Sequence, residues 1–336
     1  MSRPAVLAFC TTAIGDTLLS TPALAALGRV FDLDVVVHQH RLPLLEAEPY
    51  LRDLFPYRNN PFSRLYLITR LRNRSYQELV VMHANHDVIK LFPFLHYERA
   101  WNLQGWNLPK RRMTSLDLPA AMHVVDKRLL MASLAGAKQA DEPIKIHILP
   151  EETVAADQWL TAHGLSPDRP RVALCPGAAN LFKRWPAARF GSLVRQLRER
   201  GVETWLLGTN SETDLMLEID RVAGRPVPRL QGVAMRTLAA TIHSSDILIS
   251  NDTGPLHMGQ AVGTPILGLF GPTDHLTIGP RDPMHRVLQT PFKCEPCLTK
   301  RCQTAGCMTQ MQVDMVLQAA LEMLHLDQRP RVGEAS

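Results

Sequence analysis

The stretch of this 336-residue chain that most constrains its fold is residues 247–274, Ile-Leu-Ile-Ser-Asn-Asp-Thr-Gly-Pro-Leu-His-Met-Gly-Gln-Ala-Val-Gly-Thr-Pro-Ile-Leu-Gly-Leu-Phe-Gly-Pro-Thr-Asp. Residues 247–249 are apolar and β-branched, the pattern of a strand buried on both faces. Asn251 to Gly254 is turn chemistry. Pro255 suits a first helical turn, where no backbone N–H is needed. Residues 256–262 then read as a short helix, stopped by Gly263 and Pro265. Residues 266–270 are the next buried strand, closed by Gly271-Pro272. Strand, turn, helix and strand in this order build a parallel sheet covered by helices, so the chain is α/β.

Such a turn faces the carboxyl end of its strand, where open α/β sheets bind ligands. The N–H groups of Thr253, Gly254 and Leu256 are expected to point out of the helix N-terminus, an arrangement suited to phosphate. Asp252 beside it can accept hydrogen bonds from hydroxyls, and His257 is one turn in. The plain alternative is that Asp252 or Thr253 only caps the helix.

The rest of the chain repeats this grammar twice over. Residues 5–10 read as a buried strand, followed by a small-residue loop and a helix from Asp16 to about Val30, which Pro22 should kink or break. Residues 33–38 are a second strand. Residues 40–145 alternate weakly, with a helix at 65–71, a strand at 79–82 and an amphipathic helix at 122–134. A crossover near 145–152 leads to a second series: helix 154–163, strand 171–175, the loop Pro176-Gly177-Ala178-Ala179, then Lys183-Arg184-Trp185-Pro186. Helix 190–200, strand 203–207 and the strand-ending run Gly208 to Glu212 follow. No solenoid repeat or low-complexity segment is present.

The run Asp252, Thr253, Gly254, His257, then Gly271, Pro272 and Thr273 resembles the donor-binding motif of the bacterial heptosyltransferases, glycosyltransferase family 9. Gly15-Asp16-Thr17-Leu18-Leu19 with Pro22 resembles the family's opening motif, and the Pro-Gly-Ala…Lys-Arg-Trp-Pro stretch resembles its diphosphate-binding loop. The resemblance implies two doubly wound, Rossmann-like α/β domains facing across a cleft, the GT-B type. The first (1–148) would bind acceptor and the second (149–312) the nucleotide-sugar, with residues 313–336 a helix packing back on the first domain and a tail.

The implied reaction is inverting transfer of a heptose from ADP-heptose to the lipopolysaccharide inner core. The resemblance makes Asp16 the general base. Lys183 would stabilise the departing diphosphate. Gly177, Ala178, Gly208, Glu212, Asp252, Thr253, Gly254, Pro255 and His257 would line the donor. The plain reading of Asp16 is a helix cap. Other classes remain open: another sugar-nucleotide enzyme on this fold, such as an epimerase, or a sugar-binding relative that is not an enzyme.

Charge is uneven. Residues 1–150 hold 18 Lys and Arg against 13 Asp and Glu, while residues 151–336 hold 19 of each. Arg70, Arg72 and Arg74 form one basic group; Lys110, Arg111 and Arg112 form another, expected to meet an anionic acceptor at the membrane. A solvated face is the plain reading of each. Nucleic acid does not fit the motif set.

No stretch approaches a transmembrane length. The start, with Arg3 before residues 4–10, mimics a short signal peptide but reads as the first core strand. The protein is therefore expected in the cytoplasm, peripheral on the inner face of the inner membrane, and as a monomer. No cofactor and no divalent metal are expected. Cys294, Cys297, Cys302 and Cys307 crowd the C-terminal region, with a compact spacing unlike common zinc sites, and are expected to be reduced and metal-free. His83, Asn85, His86 and Asp87 lack clear ligand spacing and read as polar lining or loop.

Overall fold

The structure is a computed structural model. It describes residues 3–103, 105, 113–138, 142–291, 294 and 302–326. The chain divides into two compact units, Met1–His147 with Leu276–Ile278, and Ile148–His275 with Gly279–Ser336.

The first unit runs β1 (Ala5–Cys10), α1 (Ile14–Leu18), α2 (Thr21–Val30), β2 (Asp32–His38), β3 (Leu51–Tyr57), α3 (Pro61–Leu71), β4 (Ser75–His83), β5 (His96–Asn102), β6 (Met113–Ser115) and α4 (Val124–Leu134). Its six strands lie parallel in the order β3-β2-β1-β4-β5-β6. The central strands are buried on both faces. Val6, Ala8, Val35 and Val37 face α2 and α4, and Leu7, Phe9, Leu79 and Val81 face the other side. The single helix expected from Asp16 to Val30 is two. Pro22 sits in the first turn of α2, where its missing N–H costs nothing, so a new helix starts there.

The rest of the chain runs α5 (Pro150–Ala162), β7 (Arg171–Cys175), α6 (Ala187–Arg198), β8 (Glu203–Gly208), α7 (Thr213–Ala223), β9 (Arg229–Gln231), α8 (Met235–His243), β10 (Ile247–Asn251), α9 (Gly254–Ala261), β11 (Ile266–Phe270), α10 (His275–Ile278), β12 (Arg286–Gln289), α11 (Gly306–Thr309) and α12 (Val313–Met323). The parallel sheet of the second unit is ordered β12-β11-β10-β7-β8-β9. Counted from its own first strand, that is the same doubly wound order as in the first unit. Both units are thus the Rossmann-like α/β folds that the motifs imply.

Two expectations change. The apolar face of α12, with Val316, Ala319, Ala320 and Leu321 buried, joins the core that Val194, Leu197 and Ile249 build in the second unit. The sequence had placed this helix on the first. Arg74 does not belong with the solvated Arg70 and Arg72. It donates to Asp34 and Asp53, each at 2.7 Å. Asp34 in turn belongs to the chain's one Asp-x-Asp spacing, Asp32-Leu33-Asp34. That pair lies within β2, and the Asp34 carboxylate is buried, accepting from Arg52 at 2.8 and 2.6 Å and from the Tyr76 hydroxyl at 2.7 Å. Its lone pairs are spent on protein donors.

Candidate active site

An order of this kind has one point per sheet where the chain switches direction, between its first and fourth strands, and ligands gather at the carboxyl ends there. In the first unit that point lies between β1 and β4. Thr11 N–H donates to the His83 carbonyl at 2.9 Å, and Asn85 N–H donates to Thr11 Oγ1 at 3.1 Å, stitching the two strand ends together. Asp16 follows in the first turn of α1. Its side chain does not cap: no side chain caps α1. Instead, Arg128 Nη2 donates to Asp16 Oδ1 at 3.0 Å and Arg128 Nη1 to the Asp16 carbonyl at 2.9 Å. Thr12 Oγ1 donates to Asp16 Oδ2 at 3.2 Å, and His83 Nε2 lies 3.6 Å from the same oxygen. Thr12 Oγ1 also bonds His83 Nδ1. Burial, with help from Arg128, pulls the His83 imidazole below its ordinary range, while Asp16 opposes this.

In the second unit the switch lies between β7 and β10. Asn251, fully buried, ties the two ends. Its amide donates to the Pro176 carbonyl at 2.8 Å, and its Oδ1 accepts from Trp185 N–H at 3.0 Å. Beside it, Lys183 Nζ donates to Asp252 Oδ2 at 2.6 Å. Glu212 closes the next strand end. Its Oε2 accepts from Thr209 N–H at 2.8 Å, and Arg184 lies 3.5 Å from Oε1. Gly177 and Gly208 both abut this carboxylate, and a β-carbon at Gly177 would overlap it. Ala178 is buried, and its carbonyl accepts from Arg184 Nε at 2.8 Å.

Thr253 precedes α9 without a side-chain cap, and Pro255 stands in its first turn, as does buried His257. Leu256 N–H, expected to point outward, is spent on the Thr253 carbonyl at 3.1 Å. Of the three amides expected to meet an anion, Thr253 and Gly254 remain. Gly271 is needed for another approach. A β-carbon there would press on Met308 Sδ at 2.7 Å and Cys307 Sγ at 3.0 Å.

Sequence reasoning missed Thr12, Arg128 and Asn251. Arg128 carried a signal: it occupies the buried stripe of α4, between Val125 and Met131, where a charge requires a partner. Lys110, Arg111, Arg112 and Cys297 lie outside the described residues. Asp87 is engaged by Arg64 and Lys90. Among the described residues no group of three or more His, Cys, Asp or Glu is placed to hold a metal ion. None of their helices is long and apolar enough to cross a membrane.

The family model described as glycosyltransferase family 9 (heptosyltransferase) matches residues 95–308. The chain belongs to this family. A curated relative, lipopolysaccharide heptosyltransferase 3 of Escherichia coli, is 26% identical over 281 residues, covering 78% of this chain and 82% of the relative. Among solved structures, a family 9 glycosyltransferase from Veillonella parvula superposes with a TM-score of 0.85 at 20% identity, covering 97% of this chain and 98% of that one. The E. coli ADP-heptose LPS heptosyltransferase II superposes with a TM-score of 0.77 at 19% identity, covering 96% and 99%. These two speak for the fold. The heptosyltransferase assignment rests on the family match, and it agrees with the motifs at both switch points.

Proposed function

We propose that this heptosyltransferase moves a heptose from ADP-heptose to a hydroxyl of the lipopolysaccharide inner core, with inversion at the anomeric carbon. The observation that carries the reading is that each sheet brings one chemical partner of such a transfer to its switch point. The first offers a carboxylate, Asp16, and the second an ammonium, Lys183, beside a helix N-terminus. In this reading the first unit serves the acceptor and the second the donor.

In this reading the acceptor O–H bond breaks and its proton passes to Asp16. The oxygen bonds to the anomeric carbon from the face opposite ADP, and the bond from that carbon to phosphate oxygen breaks, with ADP keeping the electron pair. Lys183 and the Thr253 and Gly254 amides meet the charge that develops on the diphosphate. Asp252 and His257 hold sugar and phosphate, and Gly177, Ala178, Gly208 and Glu212 line the nucleoside. With these cationic and amide donors, the reading requires neither cofactor nor divalent metal, and chelation with EDTA should leave turnover unchanged. The name of the E. coli heptosyltransferase II supports ADP-heptose as donor.

The basic excess of residues 1–150 supports an anionic acceptor, met in part by Lys110, Arg111 and Arg112, with the protein a monomer peripheral on the inner face of the inner membrane. Replacing these three residues by Ser should weaken acceptor use at low salt while sparing ADP binding.

The test is incubation with ADP-heptose or other nucleotide-sugars, each with and without heptose-deficient lipopolysaccharide, following ADP release. Release that needs ADP-heptose and acceptor together is the expected result. Turnover with a different nucleotide-sugar alone overturns the donor, and a product of retained anomeric configuration overturns the single displacement.

A further inference from the structure

We propose that Arg128 is the positioning residue of Asp16, a buried guanidinium that fixes this carboxylate with one oxygen tied and the other presented for proton transfer. The inference rests on the reading of Asp16 as the base. Arg128 is 1% exposed, yet it comes from α4, more than a hundred residues along the chain. Its two terminal nitrogens grip Asp16 at separate points, the main-chain carbonyl at 2.9 Å and Oδ1 at 3.0 Å. One grip holds the start of α1 and the other sets the rotation of the carboxylate. Oδ2 is left with the Thr12 hydroxyl at 3.2 Å and His83 Nε2 at 3.6 Å. That oxygen is the one to receive a proton.

The surroundings leave Arg128 as the charge that matters. Among the described residues, three elements besides α1 present titratable groups to this carboxylate: α4 with Arg128, β4 with His83 and β1 with Cys10. Burial pushes the Cys10 thiol up to about 12, so it is neutral. Burial pulls His83 down, so it too is neutral at pH 7. Burial also disfavours charge on Arg128, and Asp16 and Cys10 oppose that shift. A cation kept at such a desolvation cost, with its Nε left without a hydrogen bond, is poor packing material. Its geometry is that of a clamp on one residue.

The experiment uses the full chain with Arg128→Gln, which removes the charge but keeps a donor, and Arg128→Lys, the conservative variant. Each is made in the wild-type and Asp16→Asn backgrounds. Turnover is followed with ADP-heptose and heptose-deficient lipopolysaccharide, with thermal melting and ADP affinity as checks on the fold. Arg128→Gln should lower kcat about 10²-fold, the low end of what base catalysis is worth, with donor KM little changed. Arg128→Lys should recover part of the loss.

In the Asp16→Asn background, Arg128→Gln should cost no more than about twofold further, since both changes disable one unit. An undiminished additional loss there, or wild-type kcat in Arg128→Gln, overturns the proposal. If Arg128→Gln loses its cooperative melt, Arg128→Lys decides, and a kcat identical to wild type counts against the two-point grip. Near-normal turnover of Asp16→Asn alone instead defeats the reading of Asp16 as base, a separate outcome.

Discussion

Lys183 Nζ meets Asp252 Oδ2 at 2.6 Å, joining the turn after β7 to the turn after β10. The carboxylate is nearly buried, with 6% of its side chain exposed, and the ammonium is partly so at 23%. The group proposed for the diphosphate is therefore already committed to a neighbour. A bound diphosphate would share this ammonium with Asp252 and need not recruit it from solvent.

Removing the ammonium should be felt before any substrate is added. Lys183→Met leaves a nearly buried carboxylate without its charged partner, which should cost roughly 1.5–3 kcal/mol of stability. ADP affinity should fall as well. Asp252→Asn frees Lys183 and should lower stability less. Calorimetric ADP titrations of both single variants and the double variant check this. Strict additivity would mean that the pair does not act together at the nucleotide.

Gly177→Ala tests the packing of the donor loop against Glu212. The added β-carbon overlaps a carboxylate that also closes the Thr209 turn. Glu212 must swing away, so ADP should bind more weakly while the melting temperature changes modestly. Glu212→Ala should cost little further ADP affinity in that background, because its carboxylate has already left the loop. An undiminished further loss would place the effect of Gly177→Ala in the backbone.

In the second unit β7, β8, β10 and β11 were legible because they are largely apolar runs, as in Ile266–Phe270, while β9 and β12, short and polar in composition, were not. The first unit hid β3 and β5 because their polar residues look like loop. On β3, Arg52 serves buried Asp34 of the neighbouring strand, and Pro56 is tolerated because β3 is an edge strand. On β5, Arg99 and Trp101 both donate to buried Glu78 of β4, at 2.9 and 2.8 Å. Those cross-strand pairs are non-local, so no periodicity reveals them. The same holds at the site. Asp16 was visible as a motif residue, while its partner Arg128 was hidden by distance along the chain.

Acidification should destabilise the protein in a defined window. Burial, with Arg41, His40 and Arg58, pushes His38 down to about 4, and burial pulls His83 and His285 down as well. All three have folded values below the ordinary value of 6.5. As pH falls, the unfolded chain therefore binds protons that the native state refuses. Stability is fully present above about pH 6.5 and is lost as pH falls toward about 4. The carboxylates of Asp87 and Glu152, both held down in the native state, begin to add their loss near their ordinary values of 3.8 and 4.5, at the acid end of that window and below it. Melting temperature followed from about pH 7.5 to about pH 4.5 should fall, and His38→Gln should flatten the slope. A flat curve for the unmodified protein would remove the basis for neutral imidazoles at these sites.

The strongest separation of roles lies between Asp16 and Asp252. Asp16→Asn keeps the shape and can still accept from Arg128 through its amide oxygen, but it leaves that buried guanidinium without its carboxylate, so the melting temperature should fall while the fold and donor binding persist. It cannot take the acceptor proton. Turnover should fall roughly 10²–10⁴-fold, the usual worth of general acid–base catalysis, while ADP and ADP-heptose bind as before. Asp252→Asn should instead weaken ADP-heptose binding together with the rate, because it loses the charge that holds Lys183 and a strong acceptor for sugar hydroxyls. Donor affinity from calorimetry, set beside single-turnover rates at saturating acceptor, distinguishes the two. If Asp16→Asn turns over at near-normal rate, the base lies elsewhere, and His83, whose Nε2 stands 3.6 Å from Asp16 Oδ2 and which burial keeps neutral, is the next group to replace.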